Sequence, residues 1–167
     1  PAAEVQGFME AVAALRAGLD KPVTLEAAGD AEQETSNSPP ADPVASMPRM
    51  PSGAGQLDLI TERFPLDGDL DLRRKAYEKT IEWFPKDERA QFFAQTQIAY
   101  VEHMQDKHAD AVRRLRGVLA AQKGSMPVED SAFAEYVLAI ALHGQKQDKE
   151  ALDLLEGIAL HKEISSF

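Results

Sequence analysis

The chain has 167 residues, no cysteine, and 18 basic against 28 acidic residues, which gives a net charge of −10. This length suits one ordinary domain, or a small domain with an arm. The negative charge argues against a binder of duplex nucleic acid, which needs lysine and arginine to replace counterions, and against adhesion to anionic membranes. Without cysteine, the chain has no disulfide, thiolate nucleophile or cysteine-ligated zinc.

No apolar run approaches the roughly 18 residues that a membrane span requires, so the sequence predicts a soluble chain. The compartment stays open, because cytoplasm, periplasm and organelle all accept a chain without cysteine. The first residue is Pro1 and not methionine, which leaves a processed N-terminus open as well.

Residues 1–20 are predicted to form one amphipathic helix that ends near Gly18. Its apolar face comprises Val5, Phe8, Met9, Val12 and Leu15. No neighbouring segment offers a partner for this face, so the helix either folds back as a cap or docks on another molecule. The length of the segment that follows favours docking.

Residues 21–53 are predicted to form an extended or disordered linker, because they combine many prolines with acids, serines and few large apolar groups. Its prolines include Pro39, Pro40, Pro43, Pro48 and Pro51. Two interpretations remain: plain disorder, or an arm that lies along the surface of a partner. In the second case Val44, Met47 and Met50 would be its anchors.

Residues 54–167 are predicted to be entirely helical, with short connections that favour antiparallel helix pairs. One pattern occurs twice, forty residues apart: "QIAYVEHMQDKHADAVRRL" begins at Gln97, and "VLAIALHGQKQDKEALDLL" begins at Val137. Small residues recur at the same places, and they allow two helices to approach closely. These residues are Ala99, Ala111, Ala139 and Ala151.

This pattern resembles the tetratricopeptide repeat, a helix-turn-helix unit of about 34 residues that stacks into an α-solenoid. About three units cover residues 54–165, and they begin near Ala54, Phe92 and Ala132. The first unit is degenerate, because Arg73 takes the place of the small residue at the helix crossing. The other two units hold Asp106 and Lys146 where the family has its turn glycine.

The resemblance implies that the first helix of each unit lines a concave groove, which would bind an amphipathic helix or an extended apolar peptide. The groove residues would be Phe93, Thr96, Tyr100, His103, Phe133, Tyr136, Ile140 and His143. The basic clamp with which some family members hold acidic peptide tails is missing. These helices offer glutamines there, and no cation beyond Arg89.

The histidines and the arginine cluster are interpreted as structural or surface residues and not as functional sites. His103 and His108 are five residues apart, a spacing that does not put two zinc ligands on one helix face, so no metal site is predicted. Arg113, Arg114 and Arg116 are expected to be solvated on the convex side, and contact with an acidic protein partner is the alternative. No catalytic residue and no cofactor is predicted, since no nucleophile–base order or phosphate loop is present.

The sequence therefore favours a non-catalytic adaptor, scaffold or accessory subunit of a larger assembly. It would bind a protein partner through the groove and through the N-terminal helix. One alternative is a secretion-type chaperone that shields apolar client segments, as small acidic tetratricopeptide proteins do. The third hypothesis is an enzyme or a ligand- or metal-binding protein that uses the groove histidines.

Overall fold

The structure, a computed structural model, describes residues 42–122 and 126–164, with side chains up to residue 160. Contacts divide the chain into two units, and all described residues belong to the second, Pro39–Phe167. The predicted N-terminal contact face, with Val5, Phe8, Met9, Val12 and Leu15, lies outside the described residues, as does most of the predicted linker.

The described residues form six helices and no strand, so the predicted all-α class is confirmed. The helices are α1 (Gly53–Arg63), α2 (Leu70–Trp83), α3 (Glu88–Met104), α4 (His108–Ala121), α5 (Val128–Gly144) and α6 (Asp148–Ile164). Among the described residues, no helix combines the length and the apolar character needed to span a bilayer.

Polar side chains fix the starts of the first three helices. The Ser52 hydroxyl accepts the Gly55 N–H at 3.2 Å, and the Asp87 carboxylate accepts the Ala90 N–H at 3.0 Å. Asp69 accepts two backbone N–H groups, those of Asp71 and Leu72. Each contact satisfies a donor that the first helical turn leaves without an intrahelical partner.

The same turn closes α3 and α5. Asp106 (φ 59°) and Lys146 (φ 61°) both adopt the left-handed conformation. After α3, the Asp106 N–H bonds to the His103 carbonyl and the next N–H bonds to the Glu102 carbonyl; the same two bonds recur forty residues later, around Lys146. This is the hydrogen-bond pattern of a Schellman motif. The positions that lack the expected glycine therefore keep the backbone of a glycine turn.

Each helix packs on the next one along the chain. The odd helices also contact each other, α1 with α3 and α3 with α5, whereas no α2–α4 or α4–α6 contact of the same closeness occurs among the described residues. The four alanines of the repeated pattern, Ala99, Ala111, Ala139 and Ala151, are all buried. A small side chain at these sites lets neighbouring helices pack closely.

Residues 42–50 lie against the first helix pair, although the sequence had suggested a linker there. Val44 and Met47 are buried in a core that also holds Ile60, Ala76 and Tyr77. The Met50 N–H donates to the buried side chain of Gln56 at 2.8 Å. Val44 and Met47, expected as anchors on a partner, thus contribute to the core of their own chain.

Arg73 explains the departure of the first pair from the repeat pattern. Its side chain is buried, and its guanidinium donates to the carbonyl of Phe64 and to the Tyr77 hydroxyl at 3.1 Å. It also lies 5.4 Å from the centre of the Tyr77 ring. An arginine is tolerated there because it satisfies a carbonyl at the end of α1, where a cation is favoured.

Candidate functional site

The predicted groove residues lie on α3 and α5, and an aromatic cluster forms where these helices meet. The rings of Tyr100 and Phe133 make an edge-to-face contact with centroids 6.4 Å apart. Tyr136 lies nearby: burial raises the pKa of its hydroxyl, and Tyr100 raises it further. All three side chains and Ile140 are partly exposed. We call these four residues the aromatic face.

An ion pair bounds the cluster at the beginning of α3. The Arg89 Nε atom lies 2.8 Å from the Asp130 carboxylate, which joins α3 to α5. The same guanidinium lies 5.7 Å from the centre of the Phe93 ring, and Phe93 meets Phe92 edge-to-face at 6.0 Å. Phe93 is partly exposed, so its ring is accessible beside a cation that α5 already neutralises.

Thr96 differs from the prediction. Its side chain is fully buried, and its hydroxyl donates to the Phe92 carbonyl at 2.9 Å. α3 contacts the odd helices on both of its sides, α1 and α5, and these two neighbours cover the middle of the helix face that they contact. Thr96 therefore cannot contact a partner in this conformation.

Two histidine rings meet at the far end of α3. The rings of His103 and His108 are 4.9 Å apart, because the left-handed residue Asp106 folds the chain back between them. Burial lowers the pKa of His103, and His108 and then His143 lower it further against the opposing charge of Asp106. The Nδ1 atoms of His103 and His108 are buried and make no hydrogen bond with another protein atom.

His143 stands apart from this ring pair. It is exposed, and its Nδ1 atom lies 2.8 Å from an Asp148 oxygen. Beside it, Gly144 passes so close to α4 that a Cβ there would lie 2.7 Å from the His108 ring. Within the ranges that the structure describes, no three histidine or carboxylate groups are arranged to hold a metal ion.

Sequence reasoning missed a partly buried ion pair between α3 and α4. Arg114 donates to both oxygens of Glu102, at 2.6 and 3.0 Å, and to the Gln95 amide oxygen at 2.7 Å. These bonds to Glu102 are the main reason that the pKa of Arg114 is raised above its usual value. The arginine was expected to be solvated. The available signal was Glu102 itself, a carboxylate on the inward stripe of a helix, which needs a partner.

Comparisons of the chain with protein-family models, with curated proteins and with solved structures give no significant match. A functional interpretation therefore depends on the geometry of the chain itself.

Proposed function

We propose that the helical unit is a tetratricopeptide-like α-solenoid of about three helix pairs that acts as a non-catalytic interaction module. Its partner would be another protein that presents an amphipathic helix or an extended apolar peptide. The module would serve as an adaptor or as an accessory subunit of a larger assembly. The amphipathic helix predicted over residues 1–20 would add a second contact with the same assembly.

The order of contacts supports the solenoid. The backbones of the odd helices approach one another, whereas the backbone of each even helix approaches only those of its neighbours along the chain this closely. The even helices α4 and α6 are joined by the side chains of Arg116 and Glu150. In an array of helix pairs, this arrangement leaves the odd helices on the inner side. The two matching turns at Asp106 and Lys146, forty residues apart, also favour a structural repeat.

The aromatic face carries the functional part of the proposal. Tyr100, Phe133, Tyr136 and Ile140 are partly exposed, uncharged and adjacent, on the side where α3 and α5 meet. Tyrosine and phenylalanine bury a large apolar area at little cost in conformational entropy, and they are enriched at protein interfaces. Such a surface suits apolar side chains of a helix or a strand-like peptide.

Site-specific photo-crosslinking tests this function. A benzophenone amino acid replaces Tyr136 in one variant and the exposed Arg113 of α4 in a control variant. Each is expressed in cells that make the protein, and the cells are irradiated before lysis. We expect a defined crosslinked partner from position 136 only, and mass spectrometry should locate the crosslink in an apolar or amphipathic segment.

A second pair of variants sharpens the result. Tyr100→Ala combined with Phe133→Ala should abolish the crosslink from position 136, because it removes the neighbouring rings. Val128→Ala, an exposed apolar position at the start of α5, should not. Equal crosslinking from positions 136 and 113, or none from 136, would contradict the proposed role of the aromatic face.

A further inference from the structure

The last described helix exposes large apolar side chains. α6 packs on α5, yet Leu152 is 58% exposed and Leu160 is 61% exposed. Together with the exposed carboxylates of Asp153 and Glu156, these two leucines define what we call the α6 edge.

The residues forty positions earlier, on α4, indicate how the equivalent surface is covered within the chain. Forty residues before Leu152, Val112 occupies the equivalent position on α4 and is only 5% exposed. It belongs to the core cluster that also holds Val137 and Leu138 of α5, the helix that covers α4. Likewise Leu119 packs against that cluster, whereas its equivalent on α6, Ala159, is exposed. The apolar position that α4 buries under α5 at Val112 is thus repeated on α6 as the exposed Leu152, whereas the counterpart of Leu160, Ala120, is exposed on α4 as well.

The charges on the α6 edge indicate which kind of molecule could bind there. Arg116 on α4 donates to both oxygens of Glu150 on α6, at 2.7 and 2.9 Å. The residue equivalent to Arg116, forty positions later, is Glu156, and the residue equivalent to Arg113 is Asp153. The basic positions of α4 have therefore become acidic on α6. If the stack continued, the residue equivalent to Glu150 in the next even helix would face Glu156, and a cation there would complete the ion pair.

We propose that the α6 edge binds an amphipathic helix of a partner protein, one that carries a leucine- or valine-rich stripe flanked by lysine or arginine. The apolar stripe would cover Leu152, and the cations would pair with Asp153 and Glu156 in a partly desolvated setting. This surface is separate from the aromatic face, and the inference does not depend on the function proposed for that face.

A second copy of the chain is a poorer occupant. Two α6 edges facing each other would bring Asp153 and Glu156 against the same carboxylates, in a chain whose net charge is already −10. Stacking of α6 on the first helix pair of another copy would place Leu72, the counterpart of Glu150 in the alignment of the pairs, near Glu156. The first arrangement supplies no cation. In the second, Leu72 and not a cation takes the position of Glu150; of the cations that follow on α2, Arg74 already pairs with Glu78, and Lys75 lies three residues further along.

Two synthetic peptides test the inference with the full chain. Each has about 20 residues, long enough for an alanine-rich helix, with leucines spaced for one face. One carries lysines beside the leucine stripe, and the other carries glutamates at those positions. Binding is measured by fluorescence anisotropy at about 0.15 M salt, so that weak long-range attraction is screened. The lysine peptide should bind more tightly by about tenfold or more.

Variants of the chain locate the binding site. Leu152→Glu should weaken binding of the lysine peptide by about tenfold, as expected for an apolar anchor. The double variant Asp153→Lys, Glu156→Lys should reverse the preference in favour of the glutamate peptide. Val128→Glu is the matched control, because Val128 is also an exposed apolar residue, 53% exposed, but lies at the start of α5. It should leave the affinity unchanged.

Three results would overturn the inference. The wild-type chain could bind neither peptide, or Leu152→Glu and Val128→Glu could weaken binding equally. Sedimentation could also reveal a dimer that Leu152→Glu dissociates, which would make a second copy the occupant. None of these results bears on crosslinking from position 136, so the two proposals fail independently. Circular dichroism verifies that each variant keeps its helical content.

Discussion

The second and third helix pairs, α3–α4 and α5–α6, share a backbone but differ in the chemistry of their interiors. In the second pair, the buried Glu102 and the partly exposed Arg114 form an ion pair between the two helices. At the equivalent positions, forty residues later, the third pair has Leu142 and Leu154. Leu142 is fully buried, and Leu154 packs against the same core cluster.

This difference separates the residues that set the geometry of a helix pair from the residues that fill the space between its helices. Both pairs keep the buried alanines and the left-handed residue at the turn. These features set how closely the helices approach and where the chain reverses. The inward positions between them accept either a charged pair or an apolar pair, because both satisfy the requirement that buried groups have suitable neighbours.

The largest expected effect comes from breaking the ion pair on one side. Arg114→Leu leaves the Glu102 carboxylate buried and unpaired, which should lower the free energy of unfolding by about 3 kcal/mol. We place the effect at the lower end of the usual range because the Arg114 side chain is 31% exposed. Urea denaturation followed by circular dichroism measures the change.

The double variant Glu102→Leu, Arg114→Leu is the matched control, because it gives the second pair the two leucines that the third pair has at the equivalent positions. Its free energy of unfolding should return to within about 1 kcal/mol of the wild-type value, since no charge remains buried. If the double variant is as unstable as Arg114→Leu, the two pairs are not interchangeable in their interiors.

A smaller effect, of opposite sign, is expected at the turns. Lys146→Gly should raise the free energy of unfolding by about 1 kcal/mol, because glycine adopts a positive φ without a clash of its Cβ atom. Asp106→Gly should raise it less, since aspartate tolerates this conformation better than lysine does. Lys146→Ala retains the Cβ atom and is the control. Equal effects of glycine and alanine at position 146 would show that the turn stores no strain.

The smallest effect distinguishes the two pairs by pH. His103 has a lowered pKa in the folded chain, so the unfolded chain binds a proton more readily than the folded chain does. The free energy of unfolding should therefore fall as the pH drops below about 6.5, the ordinary pKa of a histidine, and level off below the pKa of His103 in the folded chain. Urea midpoints between pH 8 and pH 5 measure this fall.

His103→Gln should reduce the pH dependence, because it removes the partly buried imidazole beside His108. His143→Gln is the matched control at the equivalent, exposed position of the third pair, and it should retain most of the fall. If the free energy of unfolding falls as much in His103→Gln as in the wild type, another titratable group causes the pH dependence.

The sequence was a reliable guide to features that repeat. The helical class, the burial of the four alanines and the position of the turns at Asp106 and Lys146 all follow from spacing along the chain. Such features depend on local periodicity and on small residues, both of which are visible in a single sequence. Tyr100 and Phe133 were both expected on the inner side of their helices, and their rings meet there.

The sequence could not reveal contacts that depend on the third dimension. The proximity of His103 and His108 requires a chain reversal at Asp106, whereas helical spacing alone separates them. Arginine is a residue type usually found at the surface, and Arg114 lies partly inside because it pairs with the buried carboxylate of Glu102 on the other helix of the pair. Thr96 is buried because both neighbouring odd helices pack on α3, which no local pattern shows.

The position of residues 42–50 changes where the folded unit must start if the chain is shortened. A version trimmed to begin at Gly53 would lose Val44 and Met47 and uncover Ile60 and Phe64 to water. It would also remove the backbone donor that satisfies Gln56. Such a fragment would keep all six described helices and yet lose part of their core, so useful truncations should stop before Asp42.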